Sequence, residues 1–148
     1  MRVTKVSSAR WERIKTRVIE FVATHKDRHI TKEASSKLKN LSGLDLEQPG
    51  TLVLLVTAHK RLLGVLACQT YGEVFSIAVV RRGERSRGVG KLLLGNALNT
   101  LGKMHVEIAS DNVPSIKLAF ACGLLGYGAF VRDNGQVVLR LKTFEELA

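Results

Sequence analysis

The sequence is short of aromatics, of acidic residues, of cysteine and of long apolar runs, and each shortage closes off a class of protein. Phe, Trp and Tyr make up only 5% of the 148 residues, too few for the aromatic platform on which single-stranded nucleic acids stack. Cys68 and Cys122 stand far apart, at no metal or dithiol spacing. They read as buried thiols of a reducing cytoplasm rather than as a disulfide framework. His25, His29, His59 and His105 form no ligand spacing either, so no metal is expected. No apolar stretch approaches the ~20 residues a membrane span needs. The opening Met1-Arg2-Val3-Thr4-Lys5 lacks the apolar centre of a secretory signal. A cytoplasmic protein with no membrane partner is the expectation, and no internal repeat or low-complexity segment is visible.

Acidic residues number 13 against 23 Lys and Arg, which leaves a net charge of +10. Such an excess points to an anionic partner: nucleic acid, a membrane surface or a phosphorylated ligand. With so few aromatics, nucleic acid ranks last of these. What the chain does have is 45% hydrophobic residues with 24% charged, the balance of a globular protein. Its length suits one domain over residues 1–148, able to bury roughly 70% of its unfolded surface.

Apolar spacing gives the order of elements. Arg2 to Val6 reads as a short strand. Ser7 or Ser8 can cap a helix whose residues Trp11, Ile14, Val18, Phe21 and Val22 recur at helical spacing, ending near His25. After the polar break Lys26 to His29, Thr31 can cap a second helix that stops at Gly43. Thr51–Ala58, Leu62–Thr70 and Glu73–Val80 are three apolar strands, expected at the centre of a sheet covered on both faces. A helix over Gly88–Leu101, a strand over Met104–Ala109 and a helix opened by Pro114 follow. Tyr127–Arg132 and Gln136–Leu141 flank Asp133-Asn134-Gly135, a strong hairpin signal. The fold class is α/β (α+β): a mixed, mostly antiparallel sheet flanked by helices, in the order β-α-α-β-β-β-α-β-α-β-β.

One stretch carries chemistry. Between the strand ending at Val80 and the leucine-rich helix lies Arg81-Arg82-Gly83-Glu84-Arg85-Ser86-Arg87-Gly88-Val89-Gly90-Lys91. Glycines there let a ligand approach the backbone, and the first N–H groups of the next helix face an anion. Five cations crowd the loop against Glu84 alone. A Walker loop would need Lys and Ser or Thr where Val89 and Gly90 stand, and the dinucleotide fingerprint would need a glycine where Leu93 stands. The pattern satisfied is R-x-x-G-x-G, from Arg85 to Gly90.

Through that motif, its strand–loop–helix setting and the whole element order, the chain resembles the GCN5-related N-acetyltransferases. The resemblance covers essentially the entire sequence. It implies acetyl-CoA as co-substrate, a small-molecule or protein amine as acceptor, and direct transfer in a ternary complex. Dimers are frequent among such proteins, so a homodimer is also an expectation. The backbone of Ala78, Val79 and Val80 would hold the pantetheine arm. The N–H groups of Arg85, Ser86, Arg87, Gly88, Val89 and Gly90 would hold the pyrophosphate, with Lys91 behind them. Arg85 and Arg87 would pair with phosphate oxygens directly. The strands would splay near Ala78 and Ile108 to admit the thioester, and Asn112 would meet the pantetheine end.

The chemistry of transfer is less complete. The amine must be neutral and the leaving thiolate must gain a proton. The tyrosine that commonly supplies that proton in the family falls here on Ala119. Ser115 and Tyr127 are substitute donors. Glu73, at the start of the third apolar strand, is the first candidate base, although its parity requires a bulge to aim it at the site; Glu107 is the second. The missing tyrosine leaves a second reading open, a catalytically weak CoA-binding sensor or scaffold.

Overall fold

The computed structural model describes residues 1–147. Strand β1 (Arg2–Lys5) is followed by α1 (Ser8–His25) and α2 (Lys32–Asn40), then by β2 (Leu52–Ala58), β3 (Arg61–Gln69) and β4 (Phe75–Val80). Next come α3 (Val89–Leu101), β5 (His105–Ala109), α4 (Val113–Ala121), β6 (Leu124–Val131), β7 (Val137–Thr143) and a terminal turn of helix, α5 (Phe144–Leu147). The element order is the one the apolar spacing predicts. The tail expected over residues 143–148 instead contributes the end of β7 and α5, and residue 148 lies outside the described residues.

Local chemistry explains the boundaries. Ser7 caps α1 by accepting the Arg10 N–H, and Thr31 caps α2 by accepting that of Ala34. The β2–β3 hairpin turns on His59 and Lys60, whose φ values of 52° and 62° supply the left-handed twist that two-residue hairpins require. Trp11 is fully buried, and its indole N–H donates to the Leu41 carbonyl at 2.8 Å, fastening α1 to the end of α2.

All pairings are antiparallel, and they form two sheets: β1-β2-β3-β4, and β5-β7-β6. Alternation along β2, β3 and β4 divides their side chains between two cores. Val53, Leu55, Val65, Ala67, Phe75, Ile77 and Val79 pack against α1 and α2. Leu52, Leu54, Val56, Leu66 and Cys68 pack against Leu93, Leu94 and Ala97 of α3, and against Leu124 and Leu141 of the second sheet. The fully buried Leu93 alone contributes about 1.5–3 kcal/mol by leaving water.

One expectation changes. The third apolar strand, β4, is not central; it closes one edge of the first sheet, because β5 pairs with β7 and not with β4. Its burial alternates, with Phe75, Ile77 and Val79 inside and Ala78 exposed.

Candidate active site

Where the two sheets part, β4 and β5 border a cleft of about 590 Å³. Its walls come from the α1–α2 connection and α2 (Asp27, His29, Lys37), from β4 (Ser76, Ala78) and from β5 (His105, Glu107, Ile108). The remaining wall comes from α3 and α4 (Gly90, Asn112, Ser115). The splay expected between Ala78 and Ile108 is this opening.

Hydrogen-bond alternation fixes what β4 presents to it. The Arg81 N–H donates to the Leu63 carbonyl at 2.7 Å, one step beyond the paired residues Val80 and Gly64. Bonded and non-bonded pairs alternate along an antiparallel ladder, so Val79 and Ile77 spend their backbone groups on β3. Those of Ser76, Ala78 and Val80 point toward β5. Ala78 and Val80 therefore turn their backbone groups to the cleft, whereas those of Val79 face β3 and its side chain is buried.

The loop after β4 ends at Gly88, which precedes α3 with φ +84°. A β-carbon there would meet nothing within 4 Å, so the space above the loop is open. The first helical bond joins the Leu92 N–H to the Gly88 carbonyl at 3.0 Å. The N–H groups of Val89, Gly90 and Lys91 thus lack an intrahelical acceptor, and Gly88 has no side chain to cap them. Val89 is buried against the second core, which anchors the start of the helix, while Lys91 is exposed. Ser86 also adopts a positive φ, 68°. These are the features of an anion cradle built from backbone.

The arginine side chains of the loop have partners within the protein. Arg85 donates from Nη2 to the His25 carbonyl at 2.9 Å. Arg87 lies 3.7 Å from Glu84, which also faces Arg61 at 3.8 Å. Arg81 donates from Nε to the Leu62 carbonyl at 2.7 Å and stacks over Phe21. Sequence alone places these cations around one spot; the fold uses several of them to fasten the loop to α1 and to β3.

At the other end of the cleft two of the residues predicted as catalytic, Glu73 and Tyr127, lie beside His105, which sequence reasoning passed over. Glu73 does not begin the strand: it lies in the turn after a single 3₁₀ turn (Thr70–Gly72), with φ −65° and ψ −36°. Strand parity therefore does not govern its direction, and no bulge is needed to aim it. Its Oε1 is 3.7 Å from Nε2 of His105. Gly72 is what allows this contact: its φ is +89°, and a β-carbon there would collide with the backbone carbonyl of His105. Tyr127 stands edge-on to the same imidazole, 6.1 Å between ring centroids. The register of β6 against β7 shifts between Gly126 and Gly128, leaving Tyr127 as the extra residue of a bulge, a device that re-aims a side chain. Lys142 sits 4.4 Å above its ring. In the sequence His105 shows only as the second residue of the strand expected over Met104–Ala109, with no sign of its neighbour Glu73.

Ser115 lies in the first turn of α4 and, with Asn112, lines the cleft near Gly90. The Asn112 side chain makes no capping bond. Ala119, on the same helix, also faces the cleft and is 1% exposed, so the position is oriented toward the site but carries no hydroxyl. Glu107 pairs with Arg140 at 3.5 Å. The α1–α2 connection closes over the cleft through Arg28, which donates to Asp111 at 2.9 Å, and His29, whose Nε2 lies 3.2 Å from the same carboxyl. The Arg28 hydrogen bond holds Asp111 below the usual carboxylate range. Among the described residues no group of three His, Cys, Asp or Glu is arranged to hold a metal ion, and no helix is long and apolar enough to cross a membrane.

Two antiparallel sheets that part over such a cleft, with a glycine-opened helix at its lip, define a fold class: the chain has the fold of the GCN5-related N-acetyltransferases. Solved structures carry the same architecture. A GNAT-family acetyltransferase from Streptococcus pneumoniae superposes with TM-score 0.74 at 12% identity, over 96% of this chain and 97% of that one. A ribosomal-protein-alanine N-acetyltransferase from Brucella melitensis gives 0.70 at 17%, over 97% and 99%. The yncA protein of Salmonella typhimurium, solved with its cofactor acetyl-CoA, gives 0.69 at 16%, over 96% and 92%. No model of a protein family matches the sequence, and no curated protein does.

Proposed function

We propose that this protein transfers the acetyl group of acetyl-CoA directly to a primary amine bound in the same cleft. The observation that carries the reading is the alignment of two sets of unspent backbone groups. The outward edge of β4, at Ala78 and Val80, leads to the free N–H groups at the start of α3. An extended amide-bearing arm ending in a diphosphate satisfies both, and coenzyme A has that form. The yncA structure, with acetyl-CoA present, supports the same assignment.

In this reading Arg85 through Gly90 hold the diphosphate through their backbone, Lys91 adds charge behind them, and Asn112 meets the inner end of the arm. The nitrogen of the amine forms a bond to the thioester carbon as the carbon–sulfur bond breaks. Glu73, beside His105, accepts the proton the amine gives up. Ser115, on the wall shared with Asn112, returns a proton to the departing thiolate, the task that Ala119 cannot perform. Tyr127 bounds the acceptor side. The acceptor belongs to the class of small-molecule or protein amines; the Brucella neighbour acts on a ribosomal protein's alanine.

Isothermal titration tests the first half: acetyl-CoA binds the wild-type protein, and Gly88→Ala, which strains a left-handed residue and crowds the cradle, weakens binding at least tenfold. A screen of amines read by release of free thiol tests the second half, with Glu73→Gln lowering kcat by about 10²–10⁴-fold. A folded wild-type protein that binds no acetyl-CoA at millimolar ligand overturns the proposal. Binding without turnover on any amine overturns its catalytic half.

A further inference from the structure

We propose that His25 is a positioning residue for the loop 81–88, and that this loop keeps its ligand-holding shape only while the imidazole is neutral. The inference rests on the reading above that the loop holds a diphosphate. It goes beyond it by assigning the loop's support to a histidine that lies outside the cleft, at the end of α1.

Three contacts join the two segments. The Arg82 N–H donates to Nδ1 of His25 at 3.1 Å. The Arg85 guanidinium donates to the His25 carbonyl at 2.9 Å, and that of Arg82 to the Lys26 carbonyl at 3.4 Å. The last carbonyls of a helix lack intrahelical donors and form the negative end of its dipole, so two guanidinium groups are well placed there. The imidazole itself is held on the Phe21 ring, 4.7 Å between centroids. A histidine that accepts at Nδ1 carries its proton on Nε2. Once doubly protonated it donates at both nitrogens, and the Arg82 N–H loses its acceptor.

The surroundings oppose that protonation. Burial, then Arg81 and Arg82 of the loop, Arg61 of β3 and Arg85, hold the imidazole below its usual 6.5. The acid of the loop, Glu84, is turned toward Arg61 and Arg87. Because the folded value is depressed, the contribution of His25 is complete above about pH 6.5 and is lost as pH falls through that depressed value. A protonated His25 also brings a positive charge nearer the ligand, an opposing effect. Salt separates the two, since at 0.3 M the screening length is about 6 Å.

The test uses 3′-dephospho-coenzyme A, whose diphosphate keeps its charge between about pH 5 and 8. Its affinity is measured by titration calorimetry at 0.3 M NaCl for wild type, His25→Ala and His25→Asn. The Asn amide oxygen occupies the place of Nδ1. Wild type is expected to bind with constant affinity from about pH 7 to 8 and to lose roughly tenfold as pH falls through the depressed value of His25, the size of one lost hydrogen bond. His25→Ala is expected to be weakened already at neutral pH and to show no pH dependence. His25→Asn is expected to recover wild-type affinity and to keep it at pH 5. In the ligand-free protein at neutral pH, amide exchange at Arg82 should quicken in the Ala variant and return in the Asn variant. Equal pH profiles for wild type and His25→Ala overturn the inference. Should wild type bind no coenzyme at any pH, the reading of the loop as a diphosphate site falls. The exchange arm then decides the positioning role alone: unchanged Arg82 exchange in His25→Ala refutes it.

Discussion

Replacing Gly72 by alanine separates the two ends of the cleft. Gly72 sits at φ +89°, where a non-glycine residue costs about 1–2 kcal/mol. The added β-carbon would also run into the backbone carbonyl of His105. A backbone atom cannot rotate away, so the turn must lift off β5, an overpacking cost of about 1–3 kcal/mol. Together these lower stability by about 2–5 kcal/mol, or about 5–15 °C in Tm for a chain of this length. The lifted turn carries Glu73 away from His105, so turnover should fall at least tenfold. The anion cradle follows the opposite end of β4 from the turn, so the Kd for acetyl-CoA should stay within about twofold. Differential scanning calorimetry, titration with acetyl-CoA and the thiol-release assay read the three quantities on one preparation. A variant that melts within about 2 °C of wild type would show that the collision is relieved at little cost. Normal turnover in a variant whose melting temperature has dropped would refute the role of the turn in placing Glu73.

Two further outcomes follow from the cores. Trp11→Phe removes the donor to the Leu41 carbonyl in a fully buried setting and should cost about 1–3 kcal/mol in urea denaturation; a change under about 0.5 kcal/mol would show that the carbonyl finds another partner. Burial pushes the Cys68 thiol up to about 12, and its Sγ–H donates to the Gly50 carbonyl. A disulfide reagent at about pH 8 should therefore modify Cys68 only at the rate of unfolding, and raising the pH to about 9 should not hasten it, because the buried thiolate remains disfavoured. Rapid native labelling of Cys68 would contradict this.

The element order is legible because its signals are local. Continuous apolar runs mark β2 to β4, the spacing of Trp11, Ile14, Val18, Phe21 and Val22 marks α1, and Asp133-Asn134-Gly135 marks the last hairpin. The anion loop is legible for the same reason: glycines, cations and the helix start lie within one short run. What the sequence hides is long-range. Nothing near Glu73 announces His105, and nothing near Arg85 announces the end of α1, since both pairs are created by packing. Strand β6 begins at Leu124, three residues before the expected Tyr127, because Gly126 and Gly128 have poor intrinsic strand preference and are held by pairing with β7. The absent hydroxyl at Ala119 is legible as an absence, and so are Ser115 and Tyr127 as substitutes; that α4 and β6 border one cleft is not.

The parting of the sheets has a consequence for how the chain is made. Every ladder of β1 to β4 closes within the first 80 residues, and every ladder of β5 to β7 lies in residues 105–143. Among the described residues no backbone ladder joins the two halves; the second core, centred on α3, joins them through side chains. During synthesis the first sheet can therefore complete its hydrogen bonding before any strand of the second leaves the ribosome, and the nascent half waits with one apolar face uncovered. Until α3 and the later strands arrive, Leu52, Leu54, Val56 and Leu66 are the surface that a chaperone would meet.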